Sequence, residues 1–214
     1  MRHVCYVSGT RADFGLMQRT LEAVHAVADL RLSIVATGMH LDERYGLTVI
    51  DMEAAGLPVA ATIPVDRTAD PTGSAMARGI SSMLAGMIDA FERLRPDLVL
   101  LLGDRGEMLA GAIAALHMNI PIAHVHGGER SGTIDESVRH AISKLSHFHF
   151  VSTEQSRERL VRMGELPGQV FVTGAPGLDG IVQDGSILRI DLLAEQRFDP
   201  EKPIAIFVFH PVVQ

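Results

Sequence analysis

The sequence predicts an α/β fold, a Rossmann-like parallel sheet with helices on both faces, and three features carry that reading. Short runs rich in Val, Ile and Leu recur along the chain, separated by stretches with helical periodicity. Leu98–Leu102 has no polar position at all, which suits a central strand covered on both sides. Turn signals with a glycine beside a charged residue follow several runs, where a strand would hand over to the helix of a right-handed crossover.

Taken in order, His3–Val7 is a buried strand, and the loop Ser8-Gly-Thr-Arg-Ala-Asp13 leads to a helix carrying Met17, Leu21 and Val24. Leu32–Ala36 is the second strand and ends in Thr37-Gly-Met-His40. Residues 41–56 are helical in part, and Val59–Ile63 is the third strand. A long helix over Ser74–Leu94 sets Met76, Ile80, Met83, Leu84 and Met87 on one face, a methionine stripe that reads as core. Gly103-Asp-Arg-Gly-Glu107 closes the fourth strand and opens a helix with Leu109, Ala112, Ile113 and Leu116 inward.

The fifth apolar run, Ile120–Val125, meets a turn at Gly127-Gly128. Thr133-Ile-Asp-Glu136 fits a capping box, so a helix starts near Ile134 with Val138, Ala141, Ile142 and Leu145 as its apolar stripe. Glu136, Arg139, His140 and Ser143 fall on the opposite, polar face. Phe148–Val151 is the next strand, Glu154–Met163 a helix, Val170–Thr173 a strand and Pro176–Val182 a short helix. The pattern then breaks. Residues 184–202 read as a charged linker with a short helix near Asp191–Arg197, and Pro203–Phe209 as a buried strand. The division expected is a Rossmann-like domain over 1–183, a linker over 184–202, and the first strand of a further domain over 203–214.

Composition narrows the function. With 214 residues, 47% of them hydrophobic, the chain can bury one good core. A net charge of −7 without any Lys/Arg block argues against a nucleic-acid or anionic-membrane binder. The single cysteine, Cys5, lies inside the first apolar run, which excludes a disulfide framework and points to a reducing compartment. There is no signal-peptide pattern and no apolar run near the ~20 residues of a spanning helix, so a cytoplasmic location is expected.

Ligands of open parallel sheets bind beyond the carboxyl ends of the strands, and in the common doubly wound order the first and fourth strands flank the switch point. The loops there place Arg11, His40, Asp104, Arg105, His126 and Glu129 along one sheet edge. Singly, each has a structural reading: Arg11 as a surface arginine at a helix start, Asp104 as an N-cap, Glu107 as a first-turn acid favoured by the helix dipole. His124, mid-strand, reads as a satisfied core histidine. No HExxH or Cys/His spacing indicates a metal, and neither GxGxxG nor a Walker A lysine motif indicates NAD or a P-loop nucleotide. What remains is a cleft with carboxylates for acid and base work and arginines for an anion.

GTRADFG (Gly9–Gly15), TGMHLDERYG (Thr37–Gly46), GDRGEMLAGAIAA (Gly103–Ala115) and HVHGGERSGTIDESVRHAISKLSHFHFVSTE (His124–Glu154) resemble the UDP-N-acetylglucosamine 2-epimerase family, most closely its hydrolysing branch in sialic-acid-type sugar biosynthesis. The resemblance implies a two-domain GT-B fold, of which this chain would supply the N-terminal half. It also implies conversion of a UDP- or GDP-linked N-acetylated amino sugar to a free N-acetylmannosamine-type sugar plus nucleoside diphosphate. That reaction needs no cofactor. By the same resemblance Asp104, Glu129 and Glu136 are the catalytic carboxylates, His210 a catalytic histidine and Arg11 the family's arginine; Arg11 with His40, Arg105, His126, Ser131 and Arg139 is the expected substrate-binding set. The partner is then a nucleotide sugar, with no nucleic acid or membrane, in a homo-oligomer. The 214 residues alone are expected to be inactive. A non-hydrolysing 2-epimerase, a GT-B glycosyltransferase and a non-catalytic binding module are the alternatives.

Overall fold

The computed structural model describes residues 1–65 and 72–209, which separate into two compact units, 1–179 and 180–214. In the first, seven parallel strands alternate with helices: β1 (Arg2–Ser8), α1 (Arg11–Ala26), β2 (Leu30–Thr37), α2 (Val49–Ala54), β3 (Val59–Ile63), α3 (Gly73–Leu94), β4 (Leu98–Leu102), α4 (Gly106–His117), β5 (Ile122–Val125), α5 (Ile134–Leu145), β6 (Phe148–Val151), α6 (Glu154–Arg162) and β7 (Val170–Val172). The strand order is β3-β2-β1-β4-β5-β6-β7, so the chain reverses direction between β1 and β4, and the crevice lies at their carboxyl ends.

Two apolar layers hold this sheet. On one face Cys5, Val7, Val99, Leu101 and Ile122 pack against Met87 and Phe91 of α3, Met108 and Ala112 of α4, and Ile142 of α5. On the other, Tyr6, Leu32, Ile34 and Leu100 pack against Phe14, Met17 and Leu21 of α1 and Met52 of α2. Alternation along each strand supplies both layers, which is why the central runs are apolar throughout. The methionine stripe of α3 is core at Met83 and Met87, whereas Met76, in its first turns, is 62% exposed. Cys5 is fully buried, and desolvation pushes its thiol up to about 12.

In the second unit two short helices, α7 (Ile181–Asp184) and α8 (Arg189–Glu195), are followed by an irregular stretch. Residues 203–209 are not the buried strand their composition suggests. They form no strand, and Ile206 and Phe207 are each 88% exposed. A strand needs a neighbour's ladder, and no described residue supplies one here.

Candidate active site

The carboxyl end of β1 begins with a buried polar network. Thr10 caps α1, its hydroxyl oxygen accepting from the Asp13 backbone N–H at 3.2 Å, while Asp13 Oδ2 accepts from the Thr10 N–H at 2.7 Å and the Gly9 N–H at 3.1 Å. The other oxygen, Oδ1, accepts from the Ser8 hydroxyl. Ser8 has one proton and gives it to Asp13, so its oxygen accepts from His40 Nε2–H at 2.9 Å. His40 Nδ1, 2.8 Å from Thr48 Oγ1, must then accept from that hydroxyl. The ring is neutral in this arrangement, and burial lowers its pKa as burial raises that of Asp13. His40, expected as a substrate contact, is fully buried with both ring nitrogens engaged by the Ser8 and Thr48 hydroxyls, and so fastens the loops after β1 and β2 together.

Glu107 takes its expected place at the start of α4 and is also packed against neighbouring loops. It lies in the first turn of α4, as the dipole argument requires, but it is 5% exposed and lies across the loops after β1 and β2. A Cβ on Gly9 would stand 2.6 Å from its Cγ, and one on Gly38 would stand 3.2 Å from its Oε1. Arg105, the residue capping α4, reaches Oε1 through Nε at 3.3 Å. Arg11 is exposed in the first turn of α1.

A second group forms at the ends of β4 and β5. Asp104 makes no cap; its carboxylate pairs with Nη2 of Arg139, and Nη1 of the same guanidinium donates to the Glu129 carbonyl at 3.1 Å. Arg139 is 8% exposed and Ser143 fully buried, so these two residues of the polar face of α5 turn inward, and the Arg139 guanidinium bonds protein groups. His124 satisfies its core reading. Nε2–H donates to the Gly103 carbonyl at 2.7 Å, Nδ1 stands 3.1 Å from Ser143 Oγ, and complete burial lowers the ring to about 4.

Glu129 Oε1 accepts from Ser152 Oγ at 2.7 Å and stands 4.0 Å from His126 Nδ1. His126 adopts φ +63°, a left-handed conformation uncommon for a residue with a side chain. Gly128, at φ +76°, has no room for a Cβ, which would fall 2.4 Å from the Ser156 carbonyl oxygen of α6. At the start of α5, Thr133 caps as expected, but Glu136 does not close the box. Its Oε2 accepts from the backbone N–H groups of Ser131 and Gly132, both at 2.9 Å, and these bonds lower its pKa. Ser131 thus contributes its backbone, and its hydroxyl lies 3.4 Å from Thr133 Oγ1. His140 Nε2 is 3.8 Å from Glu136 Oε1. Among the described residues, four buried side-chain nitrogens have no hydrogen-bond partner, and three are here: His126 Nε2, Arg139 Nε and His140 Nδ1. His210 lies outside the described residues.

An apolar hollow of about 620 Å³ lies elsewhere, on the sheet face lined by Leu98, Leu100, Ala123, Phe148 and Phe150. Among the described residues no cluster of three His, Cys, Asp or Glu side chains is placed to hold a metal ion, and no helix is long and apolar enough to cross a membrane.

A family model described as UDP-N-acetylglucosamine 2-epimerase matches residues 22–214. The chain belongs to the UDP-N-acetylglucosamine 2-epimerase family. Among relatives of this 2-epimerase-family chain, the UDP-N,N'-diacetylbacillosamine 2-epimerase (hydrolyzing) of Legionella pneumophila is 54% identical over 214 residues, covering 100% of this chain and 56% of its own length. The GDP/UDP-N,N'-diacetylbacillosamine 2-epimerase (hydrolyzing) of Campylobacter jejuni is 37% identical, covering 99% of this chain and 55% of its own. The chain thus spans about half the length of these relatives. A crystal structure of UDP-GlcNAc 2-epimerase from Neisseria meningitidis bound to UDP-GlcNAc matches with TM-score 0.78 at 22% identity, covering 92% of this chain and 53% of that one. The Methanocaldococcus jannaschii UDP-GlcNAc 2-epimerase matches with TM-score 0.73, also at 22% identity, over 92% and 53%. These likenesses establish the Rossmann-like half of a GT-B architecture as the fold.

Within this family member, sequence reading missed Asp13, Ser8 and Ser152. Asp13 was marked by Thr10-x-x-Asp13, the same capping signature noticed at Thr133. Ser152 carried no local signal, because its partner Glu129 is distant in sequence.

Proposed function

We propose that the protein is a hydrolysing 2-epimerase acting on a nucleoside-diphosphate-linked N-acetylated amino sugar, and that Asp104, Glu129 and Glu136 are the carboxylates this chain brings to the reaction. The observation that carries the reading is the junction of β4 and β5, where the buried guanidinium of Arg139 holds the Asp104 carboxylate and the Glu129 backbone together at the carboxyl edge of the sheet. The reaction removes a poorly acidic C2 proton, expels the diphosphate from C1 and adds water to the resulting double bond with inversion at C2. Such a route calls for a fixed carboxylate base, a proton donor and electrostatic stabilisation where charge develops. Arg11 and Arg105, both solvent-accessible beside the switch point, suit the departing diphosphate. With 1–183 as the first domain and 184–202 as the linker, residues 203–214 would become the first strand of a second domain only where the rest of that domain supplies a ladder, and His210 would follow that strand.

The names of the 54% and 37% identical relatives favour a diacetamido sugar as substrate over plain N-acetylglucosamine, with UDP or GDP as carrier. The deciding experiment is NMR of the products that the full-length protein forms from UDP-N-acetylglucosamine and from UDP- and GDP-linked diacetamido sugars. A free sugar inverted at C2, released with nucleoside diphosphate, is expected. An intact epimerised nucleotide sugar, transfer to an acceptor, or binding without turnover would each replace this reading with another.

A further inference from the structure

Arg11, Arg105 and Arg139, at the carboxyl edge of the sheet, are held in three different ways. Arg139 is committed to protein groups, the Asp104 carboxylate and the Glu129 carbonyl. Arg11 is exposed, and no hydrogen bond or ion pair among the described residues restrains its guanidinium. Arg105 lies between these cases. Its Nε donates to Glu107 Oε1 at 3.3 Å, its side chain is 41% exposed, and no described residue bonds Nη1 or Nη2. A guanidinium carries five N–H donors in a planar fork, so a tether on Nε fixes the plane and leaves the Nη edge with donors for two oxygens of a phosphate.

Glu107 is built in as such a tether. It lies in the first turn of α4, and Arg105, two residues earlier, is the N-cap residue of the same helix. Gly106 stands between them with its α-carbon against α3, where a Cβ would be 3.0 Å from Ile80 Cδ1, so the head of α4 is seated directly on that helix. From there the Glu107 side chain lies against the loops after β1 and β2, in space that Gly9 and Gly38 leave by lacking a Cβ. The Met39 N–H bonds the Gly9 carbonyl at 2.8 Å and closes those two loops on each other. The buried carboxylate is thus walled by backbone, and among the described residues only Arg105 bonds it. A dipole-favoured acid in the first turn accounts for the place of Glu107 on α4, but not for the two glycines beside its side chain or for its bond to Arg105.

We propose that Glu107 is a positioning residue, holding Arg105 by Nε so that the Nη edge takes a phosphate of the nucleoside diphosphate in a bidentate pair; this rests on the nucleotide-sugar reading above. An arginine that is already oriented loses less side-chain freedom when its ligand arrives. The Glu107 carboxylate also has the wrong charge for a phosphate, so orientation and charge pull in opposite directions. A bidentate pair depends on the geometry of the fork, and orientation is the effect expected to prevail.

Calorimetric titration of the full-length protein with UDP and GDP, and with uridine and guanosine, which lack the diphosphate, tests the assignment alongside turnover of the sugar nucleotides. Wild type is expected to bind one of the two diphosphates; binding of neither overturns the proposal. Binding without turnover sinks the 2-epimerase reading and leaves Glu107 to be judged on the affinities of the variants. Arg105→Ala should weaken the diphosphate roughly 10- to 100-fold and leave the nucleoside within about twofold. Glu107→Ala should weaken the same diphosphate about fivefold. Glu107→Gln, whose amide oxygen still accepts from Nε, should stay within about twofold of wild type, and Glu107→Ala added to Arg105→Ala should cost nothing more. A residue that only propped the loops would weaken nucleoside and diphosphate alike, and its loss would add to that of Arg105→Ala; either result overturns the proposal, as does unchanged or tighter diphosphate binding in Glu107→Ala. Should Glu107→Ala fail to fold, Arg105→Lys decides the matter. It keeps the charge without Nε or the paired donors and should lose nearly as much as Arg105→Ala, and full diphosphate affinity in Arg105→Lys refutes the bidentate pair.

Discussion

Gly128 and Gly132 provide a matched pair for testing how the β5–α5 loop is built. Both are left-handed, at φ +76° and +69°, so alanine at either position pays a backbone penalty of roughly 1–2 kcal/mol, partly offset by reduced freedom of the unfolded chain. They differ in their surroundings. A Cβ on Gly132 meets nothing within 4 Å, whereas one on Gly128 would stand 2.4 Å from the Ser156 carbonyl oxygen and 3.0 Å from Leu160 Cγ. Backbone cannot swing aside as a side-chain tip can, so relief requires α6 or the loop to move, adding about 1–3 kcal/mol. We therefore expect Gly132→Ala to destabilise by about 1 kcal/mol and Gly128→Ala by about 3 kcal/mol. Thermal midpoints should fall by roughly 3 °C and roughly 6–12 °C for a chain of this size. Urea denaturation followed by circular dichroism measures both. If Gly128→Ala loses no more than Gly132→Ala, the loop does not rest against α6, and the account of how Glu129 is placed fails with it.

Arg139→Met strands Asp104 without its counter-charge, and because the Asp104 side chain is only 21% exposed the loss should be about 2 kcal/mol, read as a shifted urea midpoint. Asp104→Asn should lower stability as well as turnover, where an exposed capping aspartate would lower only the former; measuring both on one variant separates the roles. His124 titrates near 4 when folded against 6.5 when unfolded, so the unfolded chain binds the extra proton between those values. Its stabilisation is complete above pH 6.5 and is lost as the pH falls toward 4, by roughly 3 kcal/mol. His124→Gln should flatten the stability profile in that window. Glu136, lowered from 4.5 by the Ser131 and Gly132 N–H groups, stabilises the fold above pH 4.5 and loses that contribution as the pH falls through its depressed value. Wild type and Glu136→Gln should therefore converge in stability at low pH, and a constant difference in urea titrations would refute the bond.

The parts of this molecule that could be read from the sequence are those decided by neighbours along the chain. Val59–Ile63, Leu98–Leu102 and Phe148–Val151 match their strands residue for residue, because an apolar run bounded by turn residues is a local signal. The start of α5 was marked by Thr133, and the placement of β1 beside β4 is the one expected of the common doubly wound order. The interior of the site was not local. Periodicity put Arg139 and Ser143 on the polar face opposite the apolar stripe of α5 and said nothing of what that face meets; the Asp104 partner that lets Arg139 turn inward lies 35 positions away. His40 was drawn to the cleft by its place after β2, and it is taken inside by Ser8 and Thr48, 32 and 8 positions distant.

The same long-range bonds explain why the carboxylates stand where they do. Leu102 and Val125 are register partners, so β4 and β5 end level with each other. Asp104 follows Leu102 by two residues and Glu129 follows Val125 by four, and two straight exits would carry their side chains apart. The left-handed His126 and the tight Gly127-Gly128 passage absorb the two additional residues by reversing the chain over α6, and Arg159 secures the reversal by donating to the Gly128 carbonyl. Arg139 then spans the remaining gap, with one nitrogen on Asp104 and another on the Glu129 backbone. One guanidinium thus fixes β4, the β5 loop and α5 together, so the spacing of Asp104 and Glu129 is set by buried packing and not by the conformation of an exposed loop. A site assembled in this way keeps its carboxylates in place before any ligand arrives.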